Sequence, residues 1–306
     1  MPKPIVIGSR GSELALRQSE LIANGLRALE PAARIDIQVI QTSGDKITDV
    51  PLAQIGGKGL FTKEIEEALL AGEIDLAVHS MKDLPTELPD GLCIGAIPKR
   101  ESPCDVLVSA GKLRLEQLPP GARVGTSSLR RTAQLRAFRS DLKILPLRGN
   151  VTTRLRKVSE NSVDAAILAA AGLMRLGLSD RISQEIPVTL MLPAPAQGAL
   201  AIEAREDDAR ILRLLAALDD PETRSAVTAE RTFLAAMEGG CQVPLGALAS
   251  RSGESIVLDA CVCSLDGAQV LRCRTASRPD RPEEAGHQAA VELRNQGAGA
   301  LLESLR

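Results

Sequence analysis

Apolar and polar residues in the first part of the chain follow one another in a pattern that predicts alternating strands and helices. The apolar run P-I-V-I-G at 4–8 predicts a short buried strand, and a serine opens a predicted helix over 12–29. The alternating stretch R-I-D-I-Q-V-I at 34–40 is typical of a half-buried strand. A helix is predicted over 62–71 because Gly72 follows it, and I-D-L-A-V-H predicts the next strand.

The same alternation returns further along the chain and predicts a second lobe. The predicted strands are A-R-V-G, K-I-L-P-L and V-D-A-A-I-L-A. Two predicted helices begin at T-S-S-L-R-R and at R-G-N-V-T-T-R-L. Strands that alternate with helices favour parallel sheets that are covered on both faces. The fold class that this predicts is α/β, with two doubly wound lobes resembling those of type II periplasmic binding proteins.

From Pro221 the pattern changes and predicts a smaller α+β domain at the C-terminus. A predicted helix ends at Met237. Two adjacent antiparallel strands are then predicted, at I-V-L-D-A-C-V-C and Q-V-L-R-C-R-T, and a final helix follows them. Cys261 and Cys263 point to the same face of their strand, which favours a role in the core. A strand at A-L-A-I-E-A returns the chain to the first lobe. The predicted boundaries are 1–98 with 199–217 for the first lobe, 99–198 for the second lobe and 218–306 for the third domain.

Composition is typical of a globular protein and excludes some classes of partner. The chain has 306 residues, 44% hydrophobic and 25% charged, and a formal net charge of −2. A general affinity for nucleic acid or anionic membranes is not implied, and with three Phe and no Tyr or Trp base stacking is a poor hypothesis. The start of the chain lacks the apolar core of a signal peptide. We therefore expect a cytoplasmic protein without nucleic-acid or membrane partners. We further expect a monomer.

The cysteines do not predict a metal site, but one of them has an unusual setting. The six cysteines form no C-x-x-C pair and only two histidines accompany them, so we expect no metal. Cys241 lies in E-G-G-C-Q-V-P, where little side-chain bulk covers it. One interpretation is a helix end that happens to be followed by a cysteine. The other is a reactive, accessible thiol.

A long glycine-rich segment, from Thr42 to Gly59, separates the second predicted strand from the next helix. Loops of this length in compact domains are usually functional or disordered. We predict a lid that is less ordered than the lobes, with Lys58 near its end to contact an anionic ligand.

Basic residues gather where predicted strands end and helices begin. They are Arg10, Lys58, Lys82, Arg130, Arg131, Arg148 and Arg154. Ligands of α/β sheets bind beyond the carboxyl ends of strands, where helix N-termini offer free N–H groups, and arginine pairs well with carboxylates. The placement predicts a site for a ligand with several carboxylates.

Asp83 is an acid among these bases. It is either a turn or cap residue, or the proton donor and counter-charge of a reaction that generates a cation on an anionic substrate. His79 is an alternative acid or base, although its apolar strand favours a role in packing.

Seven separated motifs carry a resemblance to one family. They are G-S-R-G-S-E-L-A-L, I-G-G-K-G-L-F-T-K-E, A-V-H-S-M-K-D-L-P, V-G-T-S-S-L-R-R, L-R-G-N-V-T-T-R-L, L-A-A-A-G-L-x-R-L-G and G-G-C-Q-V-P. In this order the chain resembles the porphobilinogen deaminases, also called hydroxymethylbilane synthases. The chain departs from the family at Ala196, where Gly is common, and at Val163, where an aromatic residue is common.

The resemblance implies an activity and a set of site residues. The family joins four porphobilinogens head to tail, with loss of ammonia, on a covalent dipyrromethane cofactor, and Cys241 matches the cysteine that carries this cofactor through a thioether. Asp83 matches the catalytic acid. The cofactor would be held by Lys82, Asp83, Thr126, Ser127, Ser128, Arg130 and Arg131, and the substrate by Arg10, Ser12, Lys58, Phe61, Arg148, Arg154 and Gln197.

Two other classes of protein remain as alternatives. A two-lobed carboxylate-binding module without chemistry explains the arginines, but it explains neither Asp83 nor Cys241. A cysteine hydrolase needs a basic partner beside Cys241, and the chain offers only two histidines. A covalent dipyrromethane in the purified protein would favour the deaminase over both.

Overall fold

The computed structural model describes residues 4–46, 61–237 and 243–303. Contacts divide the chain into two compact units: Met1–Arg100 with Ala199–Arg224, and Glu101–Gly198 with Ser225–Arg306. The predicted division into three domains stays a prediction.

Strands and helices alternate through most of the described residues. The strands are β1 (Ile5–Ser9), β2 (Ile35–Val39), β3 (Leu76–Ser80), β4 (Leu92–Ala96), β5 (Asp105–Ser109), β6 (Arg123–Gly125), β7 (Lys143–Leu145), β8 (Ala165–Ala169), β9 (Gln184–Glu185), β10 (Leu200–Arg205), β11 (Leu245–Ser252), β12 (Ser255–Cys263) and β13 (Val270–Ser277). The helices are α1 (Glu13–Leu29), α2 (Ser43–Lys46), α3 (Lys63–Leu70), α4 (Leu129–Phe138), α5 (Val151–Ser159), α6 (Ala170–Arg175), α7 (Ala209–Leu215), α8 (Pro221–Ala236), α9 (Pro282–Asn295) and α10 (Ala298–Glu303).

Each unit contains a mixed sheet, whereas the alternation of strands and helices predicted parallel sheets. The first sheet has the order β2-β1-β3-β10-β4, and β10 runs antiparallel to both of its neighbours. The second has the order β7-β6-β8-β5-β9, with β5 antiparallel to its neighbours. Leu200 pairs with Ser80 and Asp105 pairs with Ala169. The prediction of parallel strands was wrong for β10, and β5, which the sequence did not predict as a strand, departs from it in the same way. Each of the two begins at the carboxyl edge of the parallel strands and must run back.

Both faces of the first sheet are covered, as the sequence predicted for a doubly wound lobe. Leu76 and Val78 of β3 pack with Leu26 of α1 on one face, and Ala77 packs with Ile65 of α3 on the other. The burial of consecutive strand residues on opposite faces explains why β3 has an apolar sequence without alternation. This arrangement places the end of β3 between two helical layers.

The second unit also contains an antiparallel sheet of order β11-β12-β13, which confirms the predicted C-terminal α+β fold. Phe233 of α8 and Leu293 of α9 pack on one of its faces. Cys261 and Cys263 are fully buried on the other, in a cluster with Ala133 of α4, which confirms their predicted role in the core. The sequence did not predict β11, because L-G-A-L-A-S-R-S contains no β-branched or aromatic residue.

Within the ranges that the structure describes, no helix is both long and apolar enough to cross a membrane.

Candidate functional site

In the first unit, Arg10 and Ser12 lie where β1 gives way to α1. The Ser12 side chain caps α1 by accepting the backbone N–H of Ala15 at 3.3 Å. The guanidinium carbon of Arg10 lies 4.1 Å from the ring centroid of Phe61, a cation–π contact. These predicted ligand-binding residues therefore lie together at the carboxyl end of β1, beside the N-terminus of a 17-residue helix.

Lys82 and Asp83 lie in a 3-10 turn, Met81–Asp83, at the end of β3. The backbone N–H of Met81 donates to the carbonyl oxygen of Ala199 at 3.0 Å. Before the turn, the Ser80 hydroxyl accepts a hydrogen bond from Nε2 of Gln18 at 2.9 Å. Met81 is buried, whereas Asp83 is exposed. The turn is thus fixed to the interior while it presents the Asp83 carboxylate to solvent.

In the second unit, hydroxyl groups shape the segment between β6 and α4. Ser128 caps α4 by accepting the backbone N–H of Arg131 at 3.4 Å. The Ser127 hydroxyl accepts the N–H of Leu147 at 3.0 Å and donates to its carbonyl oxygen at 3.2 Å. Thr126 is buried, and its hydroxyl accepts the N–H of Ser128 at 3.2 Å. All three side chains stabilise this turn locally.

Arg130 and Arg131 are buried against one carboxylate, which belongs to Asp105. Arg130 Nη1 lies 2.6 Å from Asp105 Oδ2, and Nε and Nη2 of Arg131 lie 3.0 and 2.7 Å from Oδ1. Gln197 adds a hydrogen bond from Nε2 to Oδ1 at 3.0 Å. Burial alone would raise the pKa of Asp105, but the two guanidinium groups and the hydrogen bonds from Arg130 and Gln197 hold this pKa well below its usual range.

Arg148 and Arg154 lie on either side of the N-terminus of α5, which Asn150 caps. Arg154 Nε donates to the carbonyl oxygen of Gly149 at 2.8 Å. Nη1 of Arg148 is buried and has no hydrogen-bond partner among the described residues. Because a buried donor without a partner costs free energy, this nitrogen is a suitable contact for a ligand carboxylate.

Two polar residues of the second unit received no role from the sequence. Arg175, the last residue of α6, donates from Nη2 to the carbonyl oxygen of Gly198 at 2.6 Å. Its burial lowers its pKa to about 10, although Glu101 opposes this effect. Asp105 was missed because its partners, Arg130 and Arg131, lie 25 and 26 residues further along the chain. Arg175 had a weak signal, since it belongs to the A-G-L-x-R-L-G stretch.

Three predictions fall outside the residues that the structure describes. Cys241 lies in 238–242, Lys58 lies in 47–60, and the predicted lid over 42–59 falls mostly in that same segment. In the remaining ranges, no three His, Cys, Asp or Glu side chains form a group that could hold a metal ion.

Two family models match the chain. The model described as porphobilinogen deaminase, dipyromethane cofactor binding domain, matches residues 5–213, and the model of the porphobilinogen deaminase C-terminal domain matches residues 224–295. A porphobilinogen deaminase of Desulforudis audaxviator is 56% identical over 306 residues and aligns over 100% of this chain and 99% of its own. One of Syntrophobacter fumaroxidans is 51% identical, over 98% of this chain and 97% of its own.

Solved structures of binding proteins share a distant similarity of shape. The periplasmic aliphatic sulphonate binding protein of Escherichia coli has a TM-score of 0.40 and 16% identity, over 78% of this chain and 71% of its own. This similarity is too distant to bear on function.

Proposed function

The chain belongs to the porphobilinogen deaminase family, and we propose which of its residues carry out the reaction of that family. The enzyme is a transferase of tetrapyrrole biosynthesis. It joins four porphobilinogen molecules head to tail, with loss of ammonia at each addition, into hydroxymethylbilane. A covalently attached dipyrromethane is its cofactor and supplies the pyrrole on which the chain grows.

The described residues fit a cofactor and a substrate that carry acetate and propionate groups. The buried Nη1 of Arg148 lacks a protein partner, and the buried arginines outnumber their acidic partner at Asp105. Both features suit an anionic ligand. We assign the cofactor carboxylates to Lys82, Thr126, Ser127, Ser128, Arg130 and Arg131, and the substrate carboxylates to Arg10, Ser12, Lys58, Arg148 and Arg154, with Phe61 and Gln197 as further contacts.

Asp83 carries the chemistry in this proposal. Its exposed carboxyl group lies on a turn that is hydrogen-bonded to Ala199, the residue before β10. The turn follows Ser80, which is hydrogen-bonded to Gln18. In its acid form it donates a proton to the amine of porphobilinogen, which leaves as ammonia. The carboxylate that remains stabilises the positive charge that develops on the pyrrole nitrogen. The exposed Asp83 on a fixed turn is the observation that carries this assignment.

Cys241 is the attachment point in the same proposal. Its thiol forms a carbon–sulfur bond to the methylene carbon of a porphobilinogen while ammonia leaves, and the thiol proton ends on the departing amine. The cysteine remains bonded through all later additions. It therefore acts as an anchor rather than as a nucleophile of each turnover.

A cytoplasmic monomer that binds neither nucleic acid nor membranes is part of the proposal. The net charge of −2 supports the absence of nucleic-acid and membrane partners, because such a chain has no general attraction for polyanions.

The proposed function is tested by the mass and the stoichiometry of the purified protein. Its intact mass should exceed that of the sequence by one dipyrromethane, and a peptide that contains Cys241 should carry the addition. Each molecule of linear tetrapyrrole should appear with four molecules of ammonia. A protein of unmodified mass that binds porphobilinogen without releasing ammonia would instead be a binding module.

A further inference from the structure

One buried carboxylate serves two arginines of the second unit. Asp105 is fully buried, and Arg130 and Arg131 are only 4% and 6% exposed. Since Asp105 contributes one negative charge and each guanidinium one positive charge, the cluster keeps a net charge of +1. A buried ion cluster with an excess charge is costly unless a further partner is present. The excess matches one carboxylate of an anionic ligand.

The hydrogen bonds around Asp105 fix the direction in which each guanidinium points. Nη1 of Arg130 donates to Asp105 and to the carbonyl oxygen of Leu192, at 2.6 and 2.7 Å. Within the described residues, Nη1 is the nitrogen of Arg130 that donates all of its side-chain hydrogen bonds. Arg131 is held from three nitrogens, because Nη1 donates to the carbonyl oxygen of Ile167 at 2.9 Å while Nε and Nη2 contact Asp105. Nε and Nη2 of Arg130 thus remain available to a ligand.

Gln197, which follows a strained residue, also holds Asp105 in place. Its Nε2 donates to Asp105 Oδ1 and to the carbonyl oxygen of Pro103, at 3.0 and 2.7 Å. The preceding residue, Ala196, is buried with a φ of 61°, and its N–H donates to Oε2 of Glu230 at 2.5 Å. Residues other than glycine avoid this left-handed conformation. The strain persists because buried hydrogen bonds hold the turn, as expected where a side chain must be placed accurately.

We propose that Asp105, held in place by Gln197, is a positioning residue for capture of the cofactor. It fixes the guanidinium groups of Arg130 and Arg131 so that one carboxylate of the dipyrromethane meets preoriented donors and a single excess positive charge. Gln197 contributes to this role through its hydrogen bond to Asp105 rather than by direct contact with the cofactor. This inference rests on the proposed assignment of Arg130 and Arg131 to the cofactor.

The test measures cofactor capture rather than turnover. Full-length protein with incomplete cofactor is mixed with porphobilinogen, and the growth of the dipyrromethane-bearing mass is followed by intact mass spectrometry. Asp105→Asn should slow capture about tenfold or more, because both guanidinium groups lose their fixed orientation. Gln197→Met removes only one donor to Asp105 and leaves both ion pairs intact. It should fold, and it should slow capture about threefold.

A control from the same helix separates positioning from stability. Leu135 of α4 is fully buried in the apolar core, so Leu135→Ala lowers the melting temperature while both arginines and Asp105 remain. If Asp105 only stabilises the fold, capture by the three variants will follow their melting temperatures. If Asp105 positions the arginines, Leu135→Ala will capture the cofactor faster than the Asp105 variant at an equal loss of melting temperature.

Arg131→Leu separates this inference from the proposed function. Impaired capture by Arg131→Leu with wild-type capture by Gln197→Met and Asp105→Asn would overturn the positioning role alone. Wild-type capture by Arg131→Leu would remove the cofactor site itself. Should Asp105→Asn not fold, wild-type capture by Gln197→Met is sufficient to reject the inference.

Discussion

Nε2 of His79 lies 3.0 Å from Oε2 of Glu203, and both side chains are buried in the interior of the first unit. His79 is 6% exposed, whereas Asp83, four residues later, is exposed on its turn. Oε1 of Glu203 has no hydrogen-bond partner among the described residues, so the contact of Oε2 with His79 is important for stabilising this buried side chain. This pairing favours a structural role for His79 and is consistent with the proposed assignment of proton transfer to Asp83.

His79→Ala should therefore destabilise the protein without abolishing its chemistry. Loss of the imidazole leaves a buried carboxylate with less compensation, at a cost of about 3 kcal/mol. Denaturant unfolding measures this loss, and the turnover rate per cofactor-bearing molecule should stay near that of the wild type. Glu203→Gln, which keeps a hydrogen-bonding side chain, is the control and should cost less. A fall in turnover by orders of magnitude with normal stability would make His79 the acid.

The strained turn at Ala196 gives a second prediction about stability. Its φ of 61° costs about 1–2 kcal/mol, while a glycine loses about 0.5–1 kcal/mol more backbone entropy on folding. The change also removes a fully buried methyl group worth about 0.8 kcal/mol, so Ala196→Gly should change the free energy of unfolding by less than about 1 kcal/mol. Ala165 of β8 is equally buried in an ordinary strand, so Ala165→Gly relieves no strain and should lower the free energy of unfolding by about 1–2 kcal/mol. Equal losses at both positions would show that Ala196 carries no strain.

The lowered pKa of Asp105 predicts how its contribution to stability depends on pH. A carboxyl group with a lower pKa in the folded state than in the unfolded state stabilises the fold above its unfolded pKa of about 3.9. This contribution disappears as the pH falls through the folded pKa. The difference in free energy of unfolding between wild type and Asp105→Asn should stay constant from pH 8 to about pH 5 and shrink at lower pH. A difference that grows on acidification would contradict the direction of the shift.

The unpartnered nitrogen of Arg148 predicts a ligand contact. Arg148→Leu should raise the KM for porphobilinogen or slow elongation by about tenfold or more, because a ligand carboxylate loses a charged partner. Arg148→Lys should restore part of the loss, since lysine keeps the charge without the planar fork. Arg156 of α5 is exposed and lies 3.8 Å from Glu160, so Arg156→Leu is a matched control that should change neither quantity. Normal kinetics of Arg148→Leu would remove this residue from the site.

Sequence periodicity predicted most elements because their burial pattern is local. The helix of 12–29 corresponds to α1 with Ser12 as its cap, and the helix of 62–71 corresponds to α3. Local signals could not reveal that β5 and β10 run antiparallel, since direction in a sheet depends on where the chain enters it. The final helix was predicted as one element, and the structure divides it into α9 and α10.

The candidate site was predictable in its charges but not in their partners. Strand ends rich in Arg and Lys indicated an anion site, because ligands of such sheets bind there. Asp105 of β5 forms ion pairs with both Arg130 and Arg131 of α4. These ion pairs depend on how the strand and the helix pack together, and the spacing of residues in the sequence does not predict that packing. The same holds for Gln197, whose buried hydrogen bonds give it a partner within the protein.

The intact masses of wild type, Asp83→Asn and Cys241→Ser after mixing with porphobilinogen test the proposed mechanism most directly. The wild type should show a ladder of one-pyrrole increments above the cofactor-bearing mass. Asp83→Asn should carry the cofactor but advance orders of magnitude more slowly, because it has lost both the proton and the negative charge. Cys241→Ser should show no ladder, because a hydroxyl is a far poorer nucleophile than a thiolate. Asp90→Asn, at another exposed aspartate of the first unit, and Cys93→Ser, at a partly buried free cysteine of β4, are the matched controls and should behave as wild type. A normal ladder in Cys241→Ser, or a normal rate in Asp83→Asn, would contradict the proposed roles.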